Sequence, residues 1–291
     1  MTWSVGWAAP AKINRFLHIV GRRADGYHLL ETAFQFLDLA DELSFRLRDD
    51  GVIQRIDPET AGEADLTVRA ARRLAQMMAG TPGVDIHVAK RVPAGGGLGG
   101  GSSDAATTLV ALNHLWGVRL SQAELETLGL ELGADVPVFI RGEAAWAEGV
   151  GEQLLALTMD DAWVVIVDPG VAVSTAACFS APELTRDVAR SRMPRLDADR
   201  QCNVFEPVVR ERYPAVAAAL DWLAPRLPTR LTGSGGCCFG LAADEGSAKR
   251  VAADVPAGWR GLAARAIGRS PLTQRLAQAR RAEASTRATG A

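Results

Sequence analysis

Residues 93–106 read PAGGGLGGGSSDAA, with six glycines in the seven positions from Gly95 to Gly101 and Leu98 between them. Glycine lacks a Cβ, so such a run can take positive φ and bring backbone N–H groups close to a ligand. Ser102, Ser103 and Asp104 lead into helix-forming residues, which predicts a helix from about Ser103 with a side-chain oxygen at its N-cap. The positive end of the helix dipole and its unpaired amides then face the loop, which makes an anion site, with phosphate the usual anion. A flexible linker is the plain alternative, but linkers are not normally followed at once by a capped apolar helix. The loop is expected at the surface of a cleft, where valine at Gly97 would bar a phosphate without disturbing the core.

Three phosphate loops fit this description to different degrees. The G-x-x-x-x-G-K-[ST] pattern fails, because no lysine follows the glycines. A dinucleotide G-x-G-x-x-G is present at Gly95, Gly97 and Gly100, without an acidic strand end about 20 residues on. The third pattern uses Pro93, Gly97, Leu98, Ser102 and Ser103. It resembles the phosphate loop of the GHMP kinases, the superfamily of galactokinase, homoserine kinase and mevalonate kinase.

Around the loop the chain alternates strands and helices. Residues 11–20 read as a strand with Lys12 and Asn14 on one side. By itself Lys12 is a snorkelling surface lysine. Asp25-Gly26 marks a turn, and local packing is the plainer account of Tyr27 and His28 beside it. Residues 42–47 form a second strand and 84–88 another, which delivers Lys90 and Arg91 to the mouth of the loop. Residues 48–64 are irregular, and Asp65 caps a helix that runs into Met77 and Met78, read as core filler. Ser121 and Glu124 form a capping box for a helix that ends at Gly133. Asp135 follows in an apolar stretch before Pro137, where the backbone is expected to break. A lone carboxylate there is either an N-cap or turn residue or a working group. A second block begins near 163, with strands at 163–168, 236–242 and 259–266 and helices at 175–223 and 244–254. LTGSGG at 231–236 either closes over the first glycine loop or makes a plain hairpin turn.

With 291 residues, 48% hydrophobic and 23% charged, the chain has ample core for one large or two medium domains. A net charge of −2 gives no nucleic-acid surface. No apolar run approaches the roughly 20 residues of a membrane helix, and the first residues do not read as a secretory signal. Cys178, Cys202, Cys237 and Cys238 form no C-x-x-C pair and are expected as small buried hydrophobes in a reducing cytosol, Cys237 and Cys238 on opposite faces of a strand.

Taken together, residues 10–38, 93–117, 132–152 and 230–241 resemble the branch of the GHMP kinases that acts on a cytidine-diphosphate-linked methylerythritol, the motifs PAKIN, ADGYH and GADVP carrying the likeness. The resemblance implies ATP-dependent phosphorylation of the tertiary 2-hydroxyl of that substrate, in non-mevalonate isoprenoid precursor biosynthesis, with ATP and Mg²⁺. It implies an α+β, two-domain GHMP kinase fold: a ribosomal-protein-S5-like nucleotide-binding domain over 1–158, a ferredoxin-like α/β sandwich over 159–272 and a flexible tail over 273–291. Pro93, Ala94, Gly95, Gly96 and Gly97 would line the phosphates with Leu98, then Gly99, Gly100 and Gly101, then Ser102 and Ser103. Asp135 would be the base and Lys12 its charged partner. Asn14 would orient the substrate, Tyr27 and His28 would hold the cytosine, and Phe179 would add a second ring. Asp65 stands where relatives often carry asparagine near the adenine, and an ionised aspartate only accepts hydrogen bonds. No metal-ligating side chain is assigned. The expected partners are small molecules, with no nucleic acid and no membrane, in a cytoplasmic monomer or homodimer. Another superfamily kinase would have no use for ADGYH, and a non-catalytic nucleotide-binding protein no need of Lys12 and Asp135.

Overall fold

The computed structural model describes residues 2–57, 64–191 and 202–289. Strands β1 (Ser4–Arg22) and β2 (His28–Arg48) form a long antiparallel hairpin. Gly26, at φ 92°, turns the chain at its tip. These strands outrun the expected 11–20 and 42–47. Residues 31–37 are buried on both faces, which erases the polar alternation that marks a half-exposed strand.

β2 is the strand that joins the two halves of the chain. Along its length it pairs with β4 (Gly83–Ala89), with β5 (Ala145–Glu148) and, at Phe36 and Leu37, with β10 (Arg260–Ile267). β3 (Ile53–Arg55), in a stretch expected to be irregular, lies parallel to β4, and β6 (Gln153–Ala156) pairs with β5. Beyond β10 the sheet continues through β7 (Ala162–Asp168) and β9 (Cys238–Ala242) to β8 (Thr229–Leu231). Among the described residues the sheet has ten strands, and both blocks share it.

Helices α1 (Leu66–Ala75), α2 (Gly100–Leu115), α3 (Gln122–Leu132) and α4 (Val136–Arg141) cover the first half, burying Leu74, Leu109, Leu125 and Phe139 against Phe36 and Phe45. The expected caps of α1 and α3 are present: Asp65 accepts from the amides of Thr67 and Val68, and Ser121 and Glu124 form the capping box. α1 stops at Ala75, so Met77 is exposed rather than in the core. Residues 175–223 form three helices among the described residues, α5 (Thr175–Ser180), α6 (Glu206–Arg212) and α7 (Pro214–Leu223). Pro207 and Pro214 start α6 and α7, where a missing N–H costs nothing. With α8 (Glu245–Ala253) they bury Val165, Val167 and Cys238. A third cluster, built on Ile13, Ile166 and Phe239, takes in Cys237 and Leu98. Cys237 and Cys238 thus lie on opposite faces, as the strand period requires. Cys202 departs from the expected burial: it is exposed, with Sγ 3.2 Å from His18 Nε2.

The terminal helix α9 (Pro271–Thr289) occupies the stretch expected as a flexible tail. Its first turns are docked, with Leu272 buried in the first cluster and Leu276 packed on it. Arg275 adds a contact over the Trp7 ring at 4.5 Å. Among the described residues no helix is long and apolar enough to cross a membrane.

Candidate active site

The glycine loop and its surroundings line one cleft of roughly 1180 Å³. Gly95, Gly97 and Gly99 have φ of 68°, 75° and 74°, the left-handed region that only glycine enters cheaply. The helix after the loop begins at Gly100 rather than near Ser103, and its N-cap is Gly99, with no side-chain cap. Left-handed Gly99 turns the chain into the helix three residues early. The first intrahelical bond runs from Ser103 N to Gly99 O, so the amides of Gly100, Gly101 and Ser102 have no helical acceptor. Among the described residues Ser103 Oγ and Asp104 Oδ1 are buried without a hydrogen-bond partner. Unclaimed donors at a helix N-terminus suit phosphate oxygens.

Not every glycine serves a ligand. A Cβ on Gly97 would lie 2.1 Å from the Thr232 carbonyl oxygen, and one on Gly96 2.4 Å from Cys237 Sγ. The second glycine turn, 232–236, both links β8 to β9 and closes on the first loop, with Cys237 N donating to Gly96 O at 3.0 Å. The two accounts of LTGSGG therefore hold together. The expectation that valine at Gly97 would spare the fold is corrected, because Gly97 faces packed backbone rather than open cleft.

Lys12 meets the loop from β1. Its amide donates to Leu98 O at 2.9 Å. Nζ donates to Asn14 Oδ1 at 2.6 Å and lies 3.3 Å from Asp135 Oδ2. The lysine is 3% exposed and Asp135 34%. This lysine does not snorkel: its charge is held inside by an amide and a carboxylate. Asp135 sits at the N-cap position of α4 but makes no capping bond. A helical start at Val136, with Pro137 in the first turn, replaces the expected extended break and points the carboxylate at Lys12. Asn14 is buried. Its Oδ1 also accepts from Gly233 N at 3.0 Å, and its Nδ2 donates to Thr32 Oγ1 at 2.8 Å.

Past this centre the cleft ends in aromatic rings. Tyr27 is 65% exposed, and His28 stacks on Phe179 with centroids 5.1 Å apart. Phe205 packs edge-on behind Phe179. Burial, Arg186 and Arg22 together hold the His28 pKa below its ordinary value. The other end has Asp65, whose Oδ2 accepts from Arg55 Nη1 at 2.7 Å while Oδ1 caps α1. Between them, Lys90 bridges Asp41 and Asp104 beside the loop. Burial pushes the Asp104 carboxyl up to about 7, with Lys90 opposing and Asp41 adding to the shift. Lys90 therefore reaches the loop mouth as expected, whereas Arg91 faces outward and pairs with Glu42. Sequence reasoning missed Asp41 and Arg186, whose partners Lys90 and His28 lie far along the chain and leave no local signal, and Arg55, which is near its partners Asp57 and Asp65 in sequence but lies in a stretch read as irregular. Asp104 stood in the motif but carried no role there. Among the described residues no cluster of three or more His, Cys, Asp or Glu could hold a metal ion.

A cleft with a glycine loop, a buried lysine and a carboxylate, between helix-backed halves of one sheet, defines a small-molecule kinase. The GHMP kinases N terminal domain matches residues 65–143 and the GHMP kinases C terminal domain residues 187–261. A 4-diphosphocytidyl-2-C-methyl-D-erythritol kinase of Halorhodospira halophila is 55% identical over 284 residues, 96% of this chain and 98% of the relative. One of the same name from Nitrosococcus oceani is 54% identical, covering 91% and 96%. The crystal structure of a 4-(cytidine 5'-diphospho)-2C-methyl-D-erythritol kinase, 33% identical, superposes with a TM-score of 0.77 over 92% of this chain and 100% of that one. A mevalonate kinase at 14% identity shares the fold, with a TM-score of 0.65 over 91% and 99%. The chain belongs to the 4-diphosphocytidyl-2-C-methyl-D-erythritol kinase family of GHMP kinases.

Proposed function

We propose that the protein transfers the γ-phosphoryl group of ATP to the 2-hydroxyl of 4-diphosphocytidyl-2-C-methyl-D-erythritol. The observation that carries this is the Lys12–Asp135 pair, placed between the phosphate loop and the aromatic end of one cleft. Asp135 accepts the hydroxyl proton as that oxygen bonds to the γ-phosphorus. The bond from the γ-phosphorus to the β,γ-bridging oxygen breaks, and ADP leaves. Lys12, 3.3 Å from Asp135, faces the charge on the transferring group. Asn14 would orient the substrate, its side-chain amide also holding Lys12 and the turn at Gly233. The amides of Gly100, Gly101 and Ser102 bind phosphate oxygens, and positioning with charge stabilisation supplies most of what phosphoryl transfer needs.

The residues present fit a magnesium ion that arrives with the nucleotide, since such ions keep waters and phosphate oxygens and take one or two protein ligands. Ser102 and the unpartnered Oδ1 of Asp104 would hold it, and it would supply positive charge to the phosphates. Tyr27, His28 and Phe179 would take the cytosine. With one face of Phe179 already against His28, Tyr27 is the freer ring for stacking. Asp65, with both oxygens engaged by Arg55 and Thr67, would meet an adenine only as part of that pair. The reading includes a nucleotide-binding domain over 1–158 and a second over 159–272. It also places the protein in the cytoplasm, as a monomer or homodimer without nucleic-acid or membrane partners.

Incubation of the protein with ATP, Mg²⁺ and a panel of acceptors tests this, with products identified by mass. Phosphorylation of the cytidine-linked acceptor in preference to mevalonate, homoserine and galactose is expected. Transfer to one of the others instead would overturn it.

A further inference from the structure

Arg186 lies in the chain after α5 and is held by four hydrogen bonds. Nη1 donates to Leu184 O at 2.9 Å, and Nη2 to Phe179 O at 3.0 Å and Ala181 O at 2.6 Å. The fourth runs from Nε to His28 Nε2 at 3.1 Å, across 158 positions of sequence. Three carbonyls fix the guanidinium plane, so the direction of that fourth bond is fixed as well.

We propose that Arg186 is a positioning residue that locks His28 in its Nδ1–H tautomer, so that the aromatic end of the cleft selects cytosine over uracil. This rests on the reading that this end holds the substrate's base. Arginine has only donors and does not deprotonate in proteins. The Nε2 atom of His28 must therefore be the acceptor, and a neutral imidazole with its lone pair there carries its proton on Nδ1. The ring stays neutral because burial and two cations, Arg186 and Arg22, disfavour its charged form. Asp25, the carboxylate in the adjoining turn, is paired with Arg23 at 2.8 Å and accepts from Tyr27 N. Phe179 covers one face of the ring. His28 lines the cleft, and its Nδ1 has no hydrogen-bond partner among the described residues.

A fixed N–H donor discriminates between pyrimidines. Cytosine presents an acceptor at N3, whereas uracil carries a proton there. Donor against donor leaves two groups unsatisfied, which costs more than a bond merely absent. Without Arg186 the imidazole is free to take either tautomer, and the selection is lost.

The test uses the full chain, as wild type and Arg186→Met, with thermal melts to show that both fold. Two-bond ¹H–¹⁵N spectra of the imidazoles read the tautomer with no substrate present. His28 of the wild type should be the Nδ1–H form, and Arg186→Met should show the Nε2–H form gaining. Titration with CDP and UDP reads base preference without catalysis. The wild type should favour CDP, and Arg186→Met should lower the CDP/UDP affinity ratio by about tenfold, the worth of one hydrogen bond. The KM for ATP should stay within about twofold, since the nucleotide loop lies elsewhere in the cleft. A wild-type His28 in the Nε2–H form overturns the proposal even if Arg186→Met does not fold, and so does an unchanged CDP/UDP ratio in the variant. Failure to phosphorylate the cytidine-linked acceptor, with the tautomer and ratio as expected, would sink the proposed reaction and leave the lock standing.

Discussion

Asp135 shows how a side chain can occupy a structural position without doing structural work. It stands at the N-cap of α4, yet its carboxylate makes no capping bond and faces Lys12. Asp135→Asn should therefore melt near the wild type while kcat falls roughly 10²–10⁴-fold, the usual worth of a general base. Retention of more than about a tenth of kcat would remove Asp135 from that role. Tyr27 gives the complementary case. At 65% exposed it carries little of the fold, so Tyr27→Ala should leave the melting temperature alone. It should weaken the cytidine substrate by about 1–3 kcal/mol, as loss of a stacking face does, with the ATP KM unchanged. Equal harm to both substrates would make Tyr27 a packing residue.

At the scale of elements, two glycine turns far apart in sequence form one structure. Gly97 needs its missing Cβ against the Thr232 carbonyl as much as for any ligand. Gly97→Val should lower both nucleotide affinity and melting temperature, since neither backbone can retreat without breaking the Cys237–Gly96 bond. Gly101 is the control. It lies inside α2, and a Cβ there meets Leu66 Cδ1 at an ordinary 3.5 Å. Gly101→Ala should melt no lower than the wild type and up to about 1 kcal/mol more stably, by removing glycine's backbone freedom from the unfolded chain. Calorimetry on the two variants side by side decides this; equal melting temperatures for both would mean that the turns are not packed as described.

At the scale of the molecule, the sheet and the terminal helix tie the halves together. β10 comes from the end of the chain and joins β2 at Phe36 and Leu37, and α9 then returns to the first hydrophobic cluster. Leu272 is buried at that junction, so Leu272→Ala should cost about 2–5 kcal/mol in denaturant unfolding. A loss below about 0.5 kcal/mol, within the range of surface substitutions, would return α9 to the status of a loose tail.

Local physics made much of this legible from residues alone. The glycine run, the caps at Asp65 and Ser121 and the strand that splits Cys237 from Cys238 all follow from chemistry within a few positions. Asp135 stood out as a lone carboxylate in an apolar stretch, whereas Lys12, Tyr27 and His28 took their roles only from the likeness of their motifs to a kinase family. Only the tertiary structure decided which of these residues meet. It turned an apparent surface lysine into a buried partner of Asp135 across 123 positions, and gave His28 an arginine that no pattern predicted. It also concealed most of β2, because a strand buried on both faces has no polar period to read. Short-range geometry is written in propensities and spacing. The pairing of charges across the sheet depends on register, bulges and loop packing, which exist only once the chain has closed on itself.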